Sequence, residues 1–498
     1  MLNRIILGII MLFFFSCKSD RNTTDANLLP VFHFTHGENW MGEPAGGFYY
    51  DGEYHLFYQY NPKEAVFENI HWGHAVSKDL LKWDILPVAL SPDEKGQICS
   101  GSVIIDLYNT SGLAAGNIPP FIAYYTYSDN GDVAMAYSVD KGNTWTKYNE
   151  PVLKDRQIIF KNPNVSWNEK TEKWLMTVSV GSMLHFYSSH DCLSWSYLSK
   201  FESDTYGEEW EGSSLFSLKT SDEDLCKWVL TVNSSNSPAN GTSAIRYFIG
   251  DFDGKKFHAT QNKELWVDYG FDNCGGMIFN NIFDNRKIMI GLMNCRNYAH
   301  FTPGKAYRGR MVFPRELSLF YENGNYLLAS NPVNEIFSVT NETHTVSDIK
   351  VSGKEPVFEQ LPFPESPFLL TLSFDNKNKS ALWVSKDYGV SFVTKTGKTL
   401  SIGYKADMEY YYIDRRGLAG KIFSEKFEKV AGVAYVPKDS INEWTIFHDK
   451  GSVELFASKG KAVISSIYYA DDEFISFELF SESGNITLTD ATMIKLIN

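Results

Sequence analysis

Carboxylates and aromatic rings are the residue types this chain supplies most freely for chemistry, and together they suit a sugar. The 498 residues carry 60 Asp and Glu against 46 Lys and Arg, a formal charge of −14. That balance argues against nucleic acid as a partner, because gripping a polyanion needs clustered positive charge. A neutral, hydroxyl-rich ligand meets no such obstacle, and 35 Phe, 28 Tyr and 12 Trp offer flat faces that suit stacking on sugar rings. The reaction open to paired carboxylates on a sugar is cleavage of a glycosidic bond. One carboxylate attacks or stabilises the anomeric carbon while an acid protonates the departing oxygen. In a retaining mechanism the two carboxyl groups lie only about 5–5.5 Å apart.

Groups that must meet so closely need rigid elements to carry them, and the pattern is all β. From His33 to about Pro332, short apolar or alternating runs such as Tyr54-His55-Leu56-Phe57-Tyr58 and Ile122-Ala123-Tyr124-Tyr125-Thr126 are broken by Gly, Asn and Asp. No long stretch holds a helical period. A weak repeat runs through the region: Ser77-Lys78-Asp79 precedes Trp83, Ser138-Val139-Asp140 precedes Trp145, and Ser189-His190-Asp191 precedes Trp195. Each reads as a strand, a tight turn and a returning strand that opens on Trp. The three Asp are 61 and 51 positions apart, close to one four-stranded propeller blade, although generic hairpins would read the same way. Strands radiating from one axis bring residues distant in sequence to one point. After about Asn341 longer alternating strands, such as Ser452-Val453-Glu454-Leu455-Phe456, suggest a β-sandwich. No Pro- or Gly-rich linker separates the halves, so they are expected to pack firmly together.

The first residues read as an address. Arg4 precedes an apolar run from Ile5 to Phe15, as in an export signal over 1–16. Ser16-Cys17, followed by Lys18-Ser19-Asp20, resembles the lipobox of bacterial lipoproteins, in which the cysteine is acylated. The expectation is a lipidated Cys17, a tether over 17–28, and a place in the bacterial cell envelope, at the outer membrane. An ordinary secretory signal with a chance cysteine is the alternative. Cys99, Cys192, Cys226, Cys274 and Cys295 are odd in number and form no C-x-x-C pair, so they signal neither a disulfide framework nor a zinc site. Small buried hydrophobes are expected instead. No motif calls for a metal or a cofactor.

Between Phe32 and Leu90 the sequence resembles glycoside hydrolase family 32, the fructan hydrolases and invertases. Tyr54-His55-Leu56-Phe57-Tyr58-Gln59-Tyr60-Asn61-Pro62 and His71-Trp72-Gly73-His74-Ala75-Val76-Ser77-Lys78-Asp79-Leu80 carry the likeness. Ser100-Gly101-Ser102, Tyr307-Arg308-Gly309-Arg310, Pro314-Arg315-Glu316-Leu317 and Asp449-Lys450-Gly451-Ser452-Val453-Glu454-Leu455-Phe456 extend it over nearly the whole chain. The resemblance implies a five-bladed β-propeller over 29–338, a β-sandwich over 339–498, and a sugar site in the funnel at the propeller axis. It implies a retaining hydrolase of fructosyl linkages in fructans or fructo-oligosaccharides of levan, inulin or sucrose type.

Residue by residue, the family's acid/base motif W-E-C-P stands here as Trp210-Glu211-Gly212-Ser213, which makes Glu211 the general acid/base. Its nucleophile motif W-M-N-D-P-N-G stands as Trp40-Met41-Gly42-Glu43-Pro44-Ala45-Gly46, which makes Glu43 the nucleophile, one methylene longer than aspartate. Gly42 and Ala45 are expected to free the space for that longer arm. The family's R-D-P becomes Lys161-Asn162-Pro163. Asn162 keeps hydrogen-bonding capacity without the charge, and Lys161 replaces a planar fork by a point charge. One carboxylate fewer should also weaken the like-charge rise in the pKa of Glu211. The family's D-F-Y-A is Asp272-Asn273-Cys274-Gly275, Leu292 replaces a tryptophan, and Phe67 replaces another. Gln59, Phe67, Trp72, Ser100, Lys161 and Asp272 are the expected sugar contacts, although Trp72 would equally suit a core. Three readings remain open at this level: a fructosyl hydrolase, the same fold acting on another glycoside, and a sugar-binding lipoprotein with impaired catalysis.

Overall fold

The computed structural model describes residues 29–497, apart from 204–208, 221–224, 236–240, 261–264, 283, 358–360, 366 and 376–384. The expected export signal, and Cys17 with its expected lipidation, fall outside the described residues. Five blades, each built on four antiparallel strands, occupy residues 39–90, 98–147, 161–202, 210–259 and 274–332; short strands Tyr307–Arg308, in parallel, and Leu265–Trp266 add to the first and fourth. Their innermost strands are Asn39–Tyr50, Ile98–Ile105, Lys161–Asn168, Trp210–Lys219 and Cys274–Ile278. The ring closes through backbone bonds between the fifth and first blades: Tyr49 N–H donates to Asn280 O at 3.0 Å, and Asn280 N–H donates to Gly47 O at 2.9 Å.

The period of two along each strand explains why the blades stack around an axis. Successive side chains point to opposite faces, and here both faces are apolar. In the second blade Val103, Ile105, Phe121 and Tyr125 pack against Phe48, Phe57 and Trp72 of the first. Their neighbours Ile104, Ile122 and Tyr124 pack against Val165, Trp174 and Met176 of the third. Further clusters join the third blade to the fourth and the fourth to the fifth. The repeated Ser and Asp build one turn three times. Ser77, Ser138 and Ser189 each donate to the following Asp at 3.1, 2.8 and 2.9 Å. The indole N–H of Trp83, Trp145 and Trp195 then closes the turn on the backbone carbonyls of Leu80, Gly142 and Cys192.

A short 3-10 turn, Asn334–Val339, leads into the second domain, a β-sandwich. Its 23-residue strand Phe474–Leu496 joins the layers, pairing first with Asp387–Thr394 and then with Phe368–Asp375. The two domains are fastened by buried charge. Asp449 accepts the backbone N–H groups of Val31, Phe32 and His33 at 2.9, 2.9 and 3.0 Å. His33 lies between Asp449 at 2.9 Å and Glu454 at 2.7 Å, one carboxylate on each ring nitrogen. Since carboxylates only accept, both nitrogens donate and the ring is cationic. Arg315 spans Glu454 and Asp268, the latter at 2.7 Å. The segment 449–456 is therefore a fastening, with no side chain at the funnel.

Burial alone would lower the pKa of His33, but the hydrogen bonds and charges of Asp449 and Glu454 outweigh it and hold the value above 6.5. Burial alone would raise Glu454, but Arg315 and His33 bring it from 4.5 down to about 2. The stability contributed by His33 is thus complete below pH 6.5 and is lost as pH climbs through its raised folded value; that of Glu454 is complete above pH 4.5 and is lost as pH falls towards about 2. Thermal unfolding followed against pH should give highest stability between these limits. His33→Gln should lose about 3–5 kcal/mol, as for breaking a buried pair, and should flatten the alkaline decline. An unchanged alkaline decline in His33→Gln would contradict this.

Candidate active site

Every innermost strand is irregular where it reaches the axis. Pairing slips between Met41 and Pro44, Ile98 and Gly101, Trp210 and Ser213, and Cys274 and Met277. In the third blade it slips opposite the start of the strand, between the partners of Asn164 and Lys161. Bulges re-aim side chains that a regular ladder would send sideways. Here they release Glu43, Ser100, Asn162, Glu211 and Gly275 from the packing between blades and turn them to one small chamber on the axis. Above it opens a cavity of about 450 Å³, lined among others by Trp40, Glu43, Gln59, Phe67, Lys161, Asn162, Glu211 and Arg296. That is room for one or two sugar rings.

Glu43 and Glu211 both touch Nη2 of Arg296, Glu43 at 3.3 Å. Their nearest oxygens are therefore no more than about 6 Å apart, since each lies within bonding range of one nitrogen. Burial pushes the Glu43 carboxyl above the ordinary glutamate range; Arg296 pulls it back in part, and the charge of Glu211 adds to the rise. Lys161 Nζ lies 2.8 Å from Glu209 and 4.0 Å from Glu211. Asn162, in a left-handed backbone conformation (φ 47°), donates its amide to the backbone carbonyl of Glu211 at 3.0 Å. An aspartate there would set oxygen against oxygen, so the amide suits this position and fixes the strand that carries Glu211.

The longer arm of Glu43 is housed differently from the sequence expectation. Ala45 is buried between the first two blades, and a Cβ on Gly42 would meet Gln59 Oε1 at 2.5 Å. The room comes from Gly275, where a Cβ would stand 2.4 Å from Glu43 Cγ and 2.6 Å from its carboxyl carbon.

Gln59 lines the cavity and donates to Ser100 Oγ at 2.8 Å, so Ser100 serves as a support beneath the wall. Phe67 is half exposed at the rim, edge-on to Trp40. Two expected sugar contacts are corrected. Trp72 is fully buried against Tyr125, and its indole donates to Cys99 O at 3.0 Å. Asp272 is also fully buried. It pairs with Arg415 of the sandwich and with Tyr298, and it accepts the Ile467 N–H at 3.0 Å. The cysteine expectation holds for Cys192, Cys274 and Cys295, but Cys226 is exposed. Arg296 and Gly275 were not foreseen as site residues. The one available signal was an arginine in the otherwise apolar and small Leu292-Met293-Asn294-Cys295 surroundings.

Residues 33–332 match the description "Glycosyl hydrolases family 32 N-terminal domain", and residues 335–495 match "Glycosyl hydrolases family 32 C terminal". The chain belongs to glycoside hydrolase family 32. It is 34% identical to a levanase of Bacillus subtilis (strain 168), over 96% of this chain and 72% of that protein. It is 28% identical to an extracellular exo-inulinase of Aspergillus awamori, over 93% and 94%. The crystal structure of exo-inulinase from Aspergillus awamori superposes with a TM-score of 0.87 at 26% identity, covering 94% of this chain and 98% of that one. A fructofuranosidase from Schwanniomyces occidentalis complexed with fructose gives 0.85 at 25%, with 94% and 98% covered. This family 32 protein is a glycosidase, and its five blades and sandwich are those of its relatives.

Gly275→Ala should test how Glu43 is housed. The added methyl forces Glu43 to shift by roughly 1 Å, which costs on the order of a hundredfold in rate. Steady-state kinetics should show that loss, accompanied by a modest drop in the thermal transition because Gly275 sits at φ 62°, where an L side chain is strained; wild-type rates would contradict it.

Proposed function

We propose that this protein cleaves fructosyl linkages in fructans or fructo-oligosaccharides with retention of anomeric configuration. The observation that carries the reading is the placement of Glu43 and Glu211 within about 6 Å of each other at the floor of the cavity, a spacing that suits attack rather than an intervening water. Glu43 attacks the anomeric carbon of the fructosyl unit, and the bond from that carbon to the departing oxygen breaks. Glu211 gives that oxygen its proton, leaving a fructosyl ester on Glu43. Water then enters; Glu211 takes a proton from it, the oxygen attacks the anomeric carbon, and Glu43 leaves as a carboxylate. Asn162 holds the strand of Glu211, and Gly275 admits the arm of Glu43. The levanase and exo-inulinase relatives support the choice of substrate.

Glu43→Gln and Glu211→Gln should each lower kcat on levan- or inulin-type oligosaccharides by about a thousandfold or more. Because Glu43 must be ionised and its pKa is raised above 4.5, kcat/KM should fall on acidification through an inflection above that value. Full activity in Glu43→Gln, or an inverted product, would contradict the assignment.

We further propose attachment to the cell envelope through acylated Cys17, on the strength of the apolar run Ile5–Phe15 ending at Ser16-Cys17. Cys17→Ala should move the protein from the membrane fraction to the soluble one; retention in membranes would contradict this.

A further inference from the structure

We propose that the sandwich carries a second sugar-binding groove, which holds a long, neutral fructan chain to the protein. The choice of fructan rests on the function proposed above; the groove itself stands apart from the catalytic chamber. A hollow of about 430 Å³, close in size to the reaction cavity, is sunk into the sheet formed by Asp387–Thr394, Thr399–Lys405, Tyr410–Asp414 and Val430–Ala434. The other layer of the sandwich supplies Leu369, Phe447, Phe456 and Val463 to the contact with the propeller, so the hollow lies on the far side of the sandwich core.

The hollow follows from the residues that alternate with the core. Tyr388, Val390, Phe392, Leu400, Ile402 and Tyr404 point into the sandwich, and successive residues of a strand face opposite ways. The outward places between them hold Gly389 and Ser391 on one strand, opposite Gly403 and Ser401 on the next. A solvated sheet face normally presents polar side chains that stand clear of it; the middle of this one has only hydrogen atoms and short hydroxyls. Tyr412 takes up part of the space by lying across Gly403, where a Cβ would stand 2.5 Å from the ring carbon Cζ.

The lining suits a ligand rich in hydroxyls and free of charge. The Ser391 and Ser401 hydroxyls lie 2.8 Å apart. Each hydroxyl offers one donor and two acceptor sites, so the pair keeps capacity for a ligand. Tyr412 donates to Asp387 Oδ1 at 2.9 Å, which fixes that carboxylate and leaves its Oδ2 without a partner among the described residues. The charges at the rim are already matched. Arg416 gives Nε and Nη2 to Asp414 at 2.9 and 2.6 Å, and Lys354 pairs with Glu478 at 2.9 Å. An ionic ligand would have to break these pairs, whereas sugar hydroxyls bond the serines and the open carboxylate oxygen without disturbing them. Asp414 and Arg416 flank Arg415, which reaches Asp272 ahead of the fifth blade, so one end of the groove adjoins the seam with the propeller.

Affinity electrophoresis through gels containing high-mass levan or inulin tests the groove, with the full chain silenced at the funnel by Glu43→Gln so that the polymer stays intact. This parent should be retarded. Ser401→Trp fills the hollow with a side chain that a strand accepts, and should raise the apparent dissociation constant by about tenfold or more. In the active protein Ser401→Trp should leave kcat/KM on a fructosyl disaccharide within about twofold, while KM on the polymer rises by about threefold or more, because a second point of attachment is lost. Equal retardation of parent and Ser401→Trp, or retardation of neither, overturns the proposal. So does size-exclusion chromatography in which the parent is a dimer and Ser401→Trp a monomer, since the groove is then a contact between copies. Should Ser401→Trp fail to fold, the double variant Ser391→Ala, Ser401→Ala takes its place and should weaken retardation by about threefold or more; unchanged retardation overturns the proposal. Failure of the hydrolase reading shows separately, as no sugar released by the active protein from either polymer, and the electrophoresis still decides the groove.

Discussion

Two carboxylates held within about 6 Å of each other and shielded from water are the constraint around which this molecule is arranged. Like charges at such a distance push apart, so a fold that keeps them there must resist the repulsion. The fifth blade stands between those that carry Glu211 and Glu43, and it supplies Gly275 from its innermost strand and Arg296 from the loop after its second strand. The guanidinium between the carboxylates offsets their repulsion, and the bulge in each innermost strand turns the reacting groups out of the apolar packing.

The sandwich contributes to this arrangement from outside the funnel. Its Asp449 and Glu454 fix His33 just before the first blade begins, and Glu454 also holds Arg315 of the fifth. Arg415 reaches across to Asp272, two residues before the strand that carries Gly275. The ends of the propeller chain meet at the fifth and first blades, so the second domain clamps the seam where the ring closes. Removing one partner from such a buried network leaves an uncompensated charge and costs more than the pair contributes.

The fold was legible where side chains serve their own local turn. The Ser and Asp before Trp83, Trp145 and Trp195 make the same contacts within a few residues of themselves, so their spacing reported blades directly. The fourth blade keeps the capping Asp253, which accepts from the N–H groups of Lys255 and Lys256, but has Phe257 in place of the tryptophan; the repeat fades there because the ring no longer needs its indole bond. Glu43, Glu211, Gln59 and Phe67 were legible through flanking residues. Trp72 and Asp272 misled because a sequence does not say to which side of a bulged strand or loop a side chain turns. Gly275 and Arg296 were illegible for a related reason: their roles exist only against residues distant in sequence, Glu43 on another blade for both and Glu211 as well for Arg296.

Mass spectrometry of the Glu211→Gln variant after reaction with a fructoside bearing an activated leaving group tests the central assignment most directly. Such a substrate needs little protonation to depart, whereas release of the ester requires Glu211 as base, so the intermediate should accumulate. The account predicts a single fructosyl unit on the peptide containing Glu43. No adduct during turnover, or an adduct on any other residue, would contradict it.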